Sequence, residues 1–118
     1  MVGIDLLEVD RMAAALARTP NLRHRLFTPA EQAYADEQAV PARHFAARFC
    51  AKEAVVKALG LGAWNPLDIE VVRGAGGVPE ARLHGPLAAC GPVSLSLTHT
   101  PTTAGAVALR APSGGGSA

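Results

Sequence analysis

The chain has 118 residues, of which 49% are hydrophobic and 4% aromatic, and its formal net charge is +1 at pH 7. Its length allows one modest core and not two domains, and its near-neutral charge argues against nucleic-acid binding as a main function. It has no apolar run of membrane-spanning length and no signal-peptide pattern, so we expect a soluble cytoplasmic protein without membrane contacts.

A strand is predicted over residues 2–7, in which aliphatic side chains alternate with Gly3 and Asp5 as in a half-buried strand. Asp5 should therefore lie on the face opposite the aliphatic residues, beside a glycine that lets another chain or a ligand approach closely. Aspartate is disfavoured within strands, so its presence requires a reason. It either serves a functional site or forms a turn or cap before the next helix.

Three helices follow in the first half of the chain. The first is predicted over residues 10–18. The second should run over residues 28–37, because Thr28 and Glu31 have the spacing of a capping box with proline at the first helical position. The third and longest begins at residues 40–41 and stops at a glycine, over residues 40–60.

The long helix carries an acid and a base one turn apart. Glu53 and Lys57 lie at the flank of its apolar stripe, and their near neighbours on the helical wheel, Ala46 and Cys50, are small. Small neighbours leave room for a ligand. The alternative is an ordinary pair on a solvated face, worth only about 0.2–0.5 kcal/mol.

The second half of the chain predicts mainly strands. Residues 67–73 and 79–83 flank a glycine-rich turn, and residues 93–100 and 104–109 form a second strand pair around a turn that contains proline. His99 lies at the end of its strand, where side chains often reach a cleft. A single histidine is more often structural than catalytic, so its position alone decides nothing.

The predicted helices and strands form one α+β domain of residues 1–110, and composition predicts a flexible Gly/Ser-rich tail at residues 111–118. With so few aromatic residues the core must be thin, which suggests that some apolar surface is buried between subunits. Cys50 and Cys90 are isolated, so we expect reduced thiols and neither a disulfide nor a zinc site.

Taken in order, these segments resemble the holo-acyl-carrier-protein synthase family, the small trimeric class of 4′-phosphopantetheinyl transferases. The resemblance covers essentially all of residues 2–110, and the ordered set is specific although no single piece is. The matching pieces are Gly3-Ile4-Asp5 with Glu8 to Arg11, Phe27-Thr28-Pro29-Ala30-Glu31, Arg48-Phe49 with Lys52-Glu53-Ala54 and Lys57-Ala58-Leu59-Gly60, Asp68-Ile69-Glu70-Val71, and Ser94 to Thr100.

The resemblance implies a fold in which a small antiparallel sheet packs with a long helix. It also implies an enzyme that moves the 4′-phosphopantetheine of coenzyme A to a serine of an apo acyl carrier protein and releases 3′,5′-ADP. Asp5 and Glu53 match the two carboxylates that hold Mg²⁺, and Lys57 matches the lysine on the pyrophosphate. The serine proton would pass to Glu53 directly or through a metal-bound water.

Four further residues match or adjoin the coenzyme A site of the family. His99 matches a histidine of that site, and Thr100 follows it as a phosphate hydrogen-bond donor. Arg48 and Lys52 are assigned to the same ligand by the matched pattern. Lys52 falls among core residues on the helical wheel, so it either extends to solvent or meets a phosphate, an acidic partner or another subunit, and we favour ligand or subunit contact.

The first helix is the expected docking site for the carrier protein. Arg11 and Arg18 are seven residues apart and share a face, and carrier proteins are strongly acidic around the modified serine. A solvated basic face is the ordinary alternative. The family also implies a homotrimer with sites between subunits, while the sequence leaves open whether the carrier belongs to fatty-acid or polyketide synthesis.

Two other functions compete with the transferase. A non-catalytic trimeric module could bind coenzyme A or an acyl carrier protein without transfer, but no catalytic position of the family is missing. A metal-dependent phosphodiesterase would explain the carboxylates but not the basic docking helix. It would release 4′-phosphopantetheine without an acceptor protein.

Overall fold

One antiparallel sheet and four α-helices make up residues 1–111, the part of the chain that this computed structural model describes. Residues 112–118, which hold nearly all of the predicted tail, lie outside the described residues. The helices are α1 (Val9–Arg18), α2 (Leu22–Leu26), α3 (Pro29–Asp36) and α4 (Pro41–Leu59), and the strands are β1 (Val2–Glu8), β2 (Ile69–Arg73), β3 (Pro79–Leu83), β4 (Val93–His99) and β5 (Thr103–Arg110).

The sheet has the strand order β1-β5-β4-β3-β2, and every neighbouring pair is antiparallel. In the central pairing, Ala106 of β5 lies opposite both Asp5 of β1 and Leu97 of β4. The predicted α+β class, with a small antiparallel sheet packed against a long helix, is confirmed. None of the helices within residues 1–111 combines the length and apolar composition that a membrane crossing requires.

Local signals set the ends of the helices as predicted. The Thr28 side chain accepts from the Glu31 backbone, while the Glu31 side chain accepts from the Thr28 backbone, which completes the capping box of α3. Helix α4 begins with proline and ends at Gly60, whose φ of 67° lies in the left-handed region that glycine adopts without strain. The five-residue helix α2 was not predicted.

Helix α4 lies directly on β1 and β5, and the absence of a side chain at Gly3 allows this close packing. A Cβ at Gly3 would stand 1.9 Å from the carbonyl oxygen of Ala54 and 2.8 Å from the backbone nitrogen of Ala58. Strand and helix therefore meet backbone to backbone, which no other residue type at position 3 permits. The sequence left open whether another chain or a ligand approaches Gly3, and in the structure the group that packs against it is the backbone of α4 of the same chain.

The outer face of β1 and β5 is apolar and exposed. As predicted, Asp5 points away from the aliphatic residues of β1, but the buried side of the strand is the glycine side, which packs on α4. The aliphatic side is 61–70% exposed on β1 and 40–54% exposed on β5. The members of this outer apolar face are Val2, Ile4, Leu6, Val107 and Leu109.

Candidate active site

Asp5, Glu53 and Lys57 come together where β1 crosses α4. The Lys57 ammonium donates to the carbonyl oxygen of Ile4 at 2.9 Å and to Asp5 Oδ1 at 3.3 Å. Burial raises the pKa of Glu53, the negative charge of Asp5 raises it further, and Lys57 opposes the shift. The Lys57 side chain is 52% exposed and that of Asp5 is 21% exposed, so this group, the carboxylate site, is open to solvent.

The donor set of the carboxylate site fits Mg²⁺. This ion prefers oxygen ligands and usually takes one or two protein carboxylates together with phosphate oxygens and waters, and two carboxylates are what β1 and α4 provide. In the described part of the chain no group of three or more His, Cys, Asp or Glu side chains could hold a metal by itself. Burial, with the nearby Asp5 charge, raises the pKa of Cys50 to about 12, so this thiol is protonated near neutral pH.

A second site, the basic groove, lies between α3, α4 and the strand ends and encloses about 220 Å³. Its polar lining residues are Tyr34, His44, Arg48, Arg73 and His99, with Thr98 beside them. Among the described residues, neither guanidinium has a carboxylate within 4 Å. The groove therefore carries uncompensated positive charge and suits an anion.

Arg48 is the most buried cation of the basic groove. Its residue is only 5% exposed, and within residues 1–111 its Nε has no hydrogen-bond partner. Burial lowers the pKa of Arg48 from its usual value, and Tyr34 and Glu31 oppose that change. A buried guanidinium of this kind gains free energy from an anion that enters the groove.

His99 reaches the groove from the end of β4. Its ring packs edge-to-face on His44, with centroids 5.8 Å apart. Burial lowers the pKa of His44, and Arg48 and then His99 add to the shift, so His44 is neutral near pH 7. The Thr100 hydroxyl stabilises the β4–β5 turn by accepting from the backbone nitrogens of residues 102 and 103, and its role as a phosphate hydrogen-bond donor stays a prediction.

Lys52 requires a correction. The sequence favoured ligand or subunit contact, but its side chain is 0% exposed and lies inside the chain. The ammonium donates to Glu31 Oε1 at 2.8 Å, to the Pro66 carbonyl at 2.8 Å and to the Ile69 carbonyl at 2.5 Å. Three acceptors match the three N–H groups of an ammonium, so Lys52 joins α4 to α3 and β2. It does not line either site.

Sequence reasoning missed three of the five aromatic and basic residues that line the basic groove. His44 precedes Arg48 by four residues on α4, so the spacing that places both on one helix face could have identified it. Tyr34 and Arg73 belong to α3 and β2, and no local pattern relates them to α4.

Arg11 and Arg18 both lie on the exposed side of α1. Within residues 1–111 neither has a carboxylate within 4 Å. Beside Arg11 is an apolar groove of about 210 Å³ between α1, α2 and α4. Its other lining residues are Leu7, Met12, Ala15, Leu22, Leu26 and Phe49. Free basic groups beside an apolar groove suit a partner with acidic and apolar groups.

The fold is that of a class of enzymes that transfer a phosphopantetheinyl group. The profile of the 4′-phosphopantetheinyl transferase superfamily matches residues 1–108. The chain belongs to this superfamily, as its sequence predicted. A holo-[acyl-carrier-protein] synthase from Moorella thermoacetica is 44% identical over 117 residues, which cover 91% of this chain and 90% of the relative.

Solved structures agree with the sequence comparison. The acyl carrier protein synthase of Mycobacterium tuberculosis is 40% identical and superposes with a TM-score of 0.75 over 94% of this chain and 96% of that one. A holo-(acyl-carrier-protein) synthase from Bacillus anthracis, in complex with coenzyme A (3′,5′-ADP), is 30% identical with a TM-score of 0.77 over 91% of each chain.

Proposed function

We propose that this protein is a holo-[acyl-carrier-protein] synthase, which transfers the 4′-phosphopantetheine group of coenzyme A to a serine of an apo acyl carrier protein. The observation that carries the proposal is the meeting of Asp5, Glu53 and Lys57 at one open position. Relatives with this activity in their names match nearly the whole chain. The carboxylate site is where we place the pyrophosphate of coenzyme A.

The reaction forms one bond and breaks one bond at phosphorus. The serine oxygen attacks the phosphorus attached to pantetheine, and the bond to the leaving 3′,5′-ADP breaks. Lys57 contacts the pyrophosphate and stabilises charge on the leaving oxygen. Glu53, whose pKa is raised by burial and by Asp5, would accept the serine proton directly or through a metal-bound water. Asp5 and Glu53 would hold Mg²⁺, which neutralises pyrophosphate charge when bound.

The basic groove suits the remaining phosphate of coenzyme A. Two of the three phosphate groups form the pyrophosphate, and the third is on the 3′ position of the ribose. Arg48 and His99 provide a buried cation and a ring nitrogen for this group, and Arg73 adds a second guanidinium. A ligand that spans both sites carries about three to four negative charges near pH 7, and up to two of them, on the 3′-phosphate, would meet the positive charge of the groove.

The positions of the two sites on α4 support an assembly with sites between subunits. Arg48 and Lys57 are nine residues apart, so at 3.6 residues per turn they point about 180° apart around the helix. One chain therefore presents its carboxylate site and its basic groove on opposite sides of α4. We propose a homotrimer in which one copy provides the carboxylates and a neighbour the groove, with the outer apolar face buried between copies.

The acceptor protein and the compartment complete the proposal. Arg11 and Arg18 would dock an acidic carrier protein beside the carboxylate site, which makes association sensitive to salt. We place the protein in the cytoplasm, where the isolated thiols Cys50 and Cys90 would stay reduced.

Intact-mass measurement of an apo acyl carrier protein tests the function. Incubation with this protein, coenzyme A and Mg²⁺ should add the mass of one phosphopantetheinyl group, and EDTA should prevent the addition. No addition on fatty-acid or polyketide carriers, with the protein folded and coenzyme A bound, would favour the non-catalytic module. Release of 4′-phosphopantetheine without any acceptor would favour the phosphodiesterase.

Dilution tests the assembly. If sites lie between subunits, specific activity should fall in parallel with the trimer fraction as the protein is diluted, because a monomer holds no complete site. Analytical ultracentrifugation at the same concentrations gives the trimer fraction. A monomer with full specific activity would contradict the shared site.

A further inference from the structure

Tyr34 contacts or adjoins every cation of the basic groove. Its ring centroid lies 4.0 Å from the guanidinium carbon of Arg48 and 5.5 Å from that of Arg73. It also packs edge-to-face on His44 at 5.6 Å, and His44 packs in the same way on His99 at 5.8 Å. One side chain of α3 is thus in contact with residues from α4 and β2 and, through His44, with β4.

The ring provides what the buried guanidinium otherwise lacks. Arg48 is 5% exposed, and among the described residues it has no carboxylate partner and its Nε has no acceptor. The negative face of an aromatic ring attracts a cation, and this attraction is strongest where water is excluded. Arg73 lies near enough to lower the pKa of Arg48 by repulsion, and two neighbouring guanidinium groups suit a doubly charged phosphate.

We propose that Tyr34 is a positioning residue of this enzyme: its ring fixes the Arg48 guanidinium, and through His44 the His99 ring, for the 3′-phosphate of coenzyme A. The inference rests on the proposed function, because it assigns that phosphate to the basic groove. Tyr34 itself takes no part in the chemistry at phosphorus. Its replacement should change the binding of coenzyme A and leave the rate of transfer from saturated enzyme almost unchanged.

The test compares Tyr34→Phe with Tyr34→Leu and uses coenzyme A and 3′-dephospho-coenzyme A as ligands. Phenylalanine keeps the aromatic ring face. Leucine keeps the apolar bulk but has no ring. We expect Tyr34→Leu to weaken coenzyme A binding by roughly 30-fold, as a desolvated cation–π contact implies, and Tyr34→Phe to weaken it by about threefold or less. Neither variant should change binding of the dephosphorylated ligand, and kcat with coenzyme A should stay within about twofold of the unmodified protein.

A double-mutant cycle identifies the residue through which Tyr34 acts. If the ring works mainly by holding Arg48, then Tyr34→Leu should add much less to the loss caused by Arg48→Met than it costs on its own, because only the His99 ring is then left to position. Additive losses would show that Tyr34 does not act through Arg48. Thermal unfolding of each variant, measured at one protein concentration, separates this outcome from general destabilisation.

Each result has one meaning. Equal weakening of both ligands by Tyr34→Leu, or equal effects of the leucine and phenylalanine variants, would overturn the positioning role. If Tyr34→Leu weakens the binding of coenzyme A but not of 3′-dephospho-coenzyme A, the positioning role is supported. This holds even if the unmodified protein fails to modify a carrier protein, because that failure would refute only the proposed transfer. Absence of coenzyme A binding to the unmodified protein would overturn both.

Discussion

Replacing Lys52 with methionine should destabilise the fold far more than the same change at Lys57 on the same helix. Methionine keeps much of the apolar length of lysine but has no ammonium. At position 52 the change removes three hydrogen bonds and leaves the Glu31 carboxylate, which is 0% exposed, without its counter-charge. At position 57 the ammonium is 52% exposed and water replaces what is lost.

The structure sets the size of the difference. Removing one partner of a buried ion pair costs about 3–5 kcal/mol, because the other charge stays buried and uncompensated. Glu31 keeps two N–H donors, from the backbone of Thr28 and Val71, which places the expected loss for Lys52→Met near the lower end of that range, about 3 kcal/mol. An exposed pair such as that of Lys57 contributes at most about 1 kcal/mol.

Urea unfolding followed by circular dichroism measures both variants, at one protein concentration because assembly contributes to stability. A third variant, Lys52→Met with Glu31→Gln, should recover part of the loss, since it removes the unpaired charge together with its partner. The error of an unfolding free energy extrapolated from urea is about 1 kcal/mol, so a smaller difference cannot be resolved. The reasoning is refuted if the free energies of unfolding of Lys52→Met and Lys57→Met differ by less than about 1 kcal/mol. Full additivity of the two changes in the third variant would also count against it.

Three further changes test the site and its framework. Glu53→Gln should lower Mg²⁺-dependent transfer by at least about 100-fold without moving the unfolding midpoint, and wild-type-like kinetics would remove Glu53 from the metal site. Gly3→Ala should destabilise the fold by about 1–3 kcal/mol or more, because its Cβ would overlap α4. Gly62→Ala is the control: a Cβ there has no heavy atom within 4 Å, so this variant should be close to neutral in the same urea assay. Equal unfolding midpoints for the two variants would contradict the close contact at Gly3. Reversing the charge of Arg11 and Arg18 together should slow association with an acidic carrier about tenfold at low salt, and an unchanged salt dependence in stopped-flow measurements would exclude docking on α1.

Local rules were enough to predict most of the fold. The capping box at Thr28 and the proline and glycine that bound α4 act within a few residues, so their positions in the sequence determine where helices begin and end. Alternation in β1 also placed Asp5 opposite the aliphatic residues. It could not tell which of the two faces is buried, because that depends on how closely α4 packs on Gly3.

Partners that are distant in sequence were beyond these rules. The helical wheel correctly placed Lys52 among core residues, but its partner Glu31 is 21 residues away on another helix, and the ammonium is bonded inside the chain instead of to a ligand. The contact of Tyr34 with Arg48 likewise depends on the packing of α3 against α4. The meeting of Asp5 with Glu53 and Lys57 came from the family resemblance and from no periodicity in the chain.

Strand β1 serves two surfaces at once. Asp5 of the carboxylate site lies between Ile4 and Leu6, whose side chains leave the opposite side of the strand and belong to the outer apolar face. Any molecule that covers that face also presses on the backbone that aims the aspartate. Because the proposed trimer buries this face between copies, a small apolar compound bound there should compete with the neighbouring subunit, and it should lower activity without competing with coenzyme A for the carboxylate site.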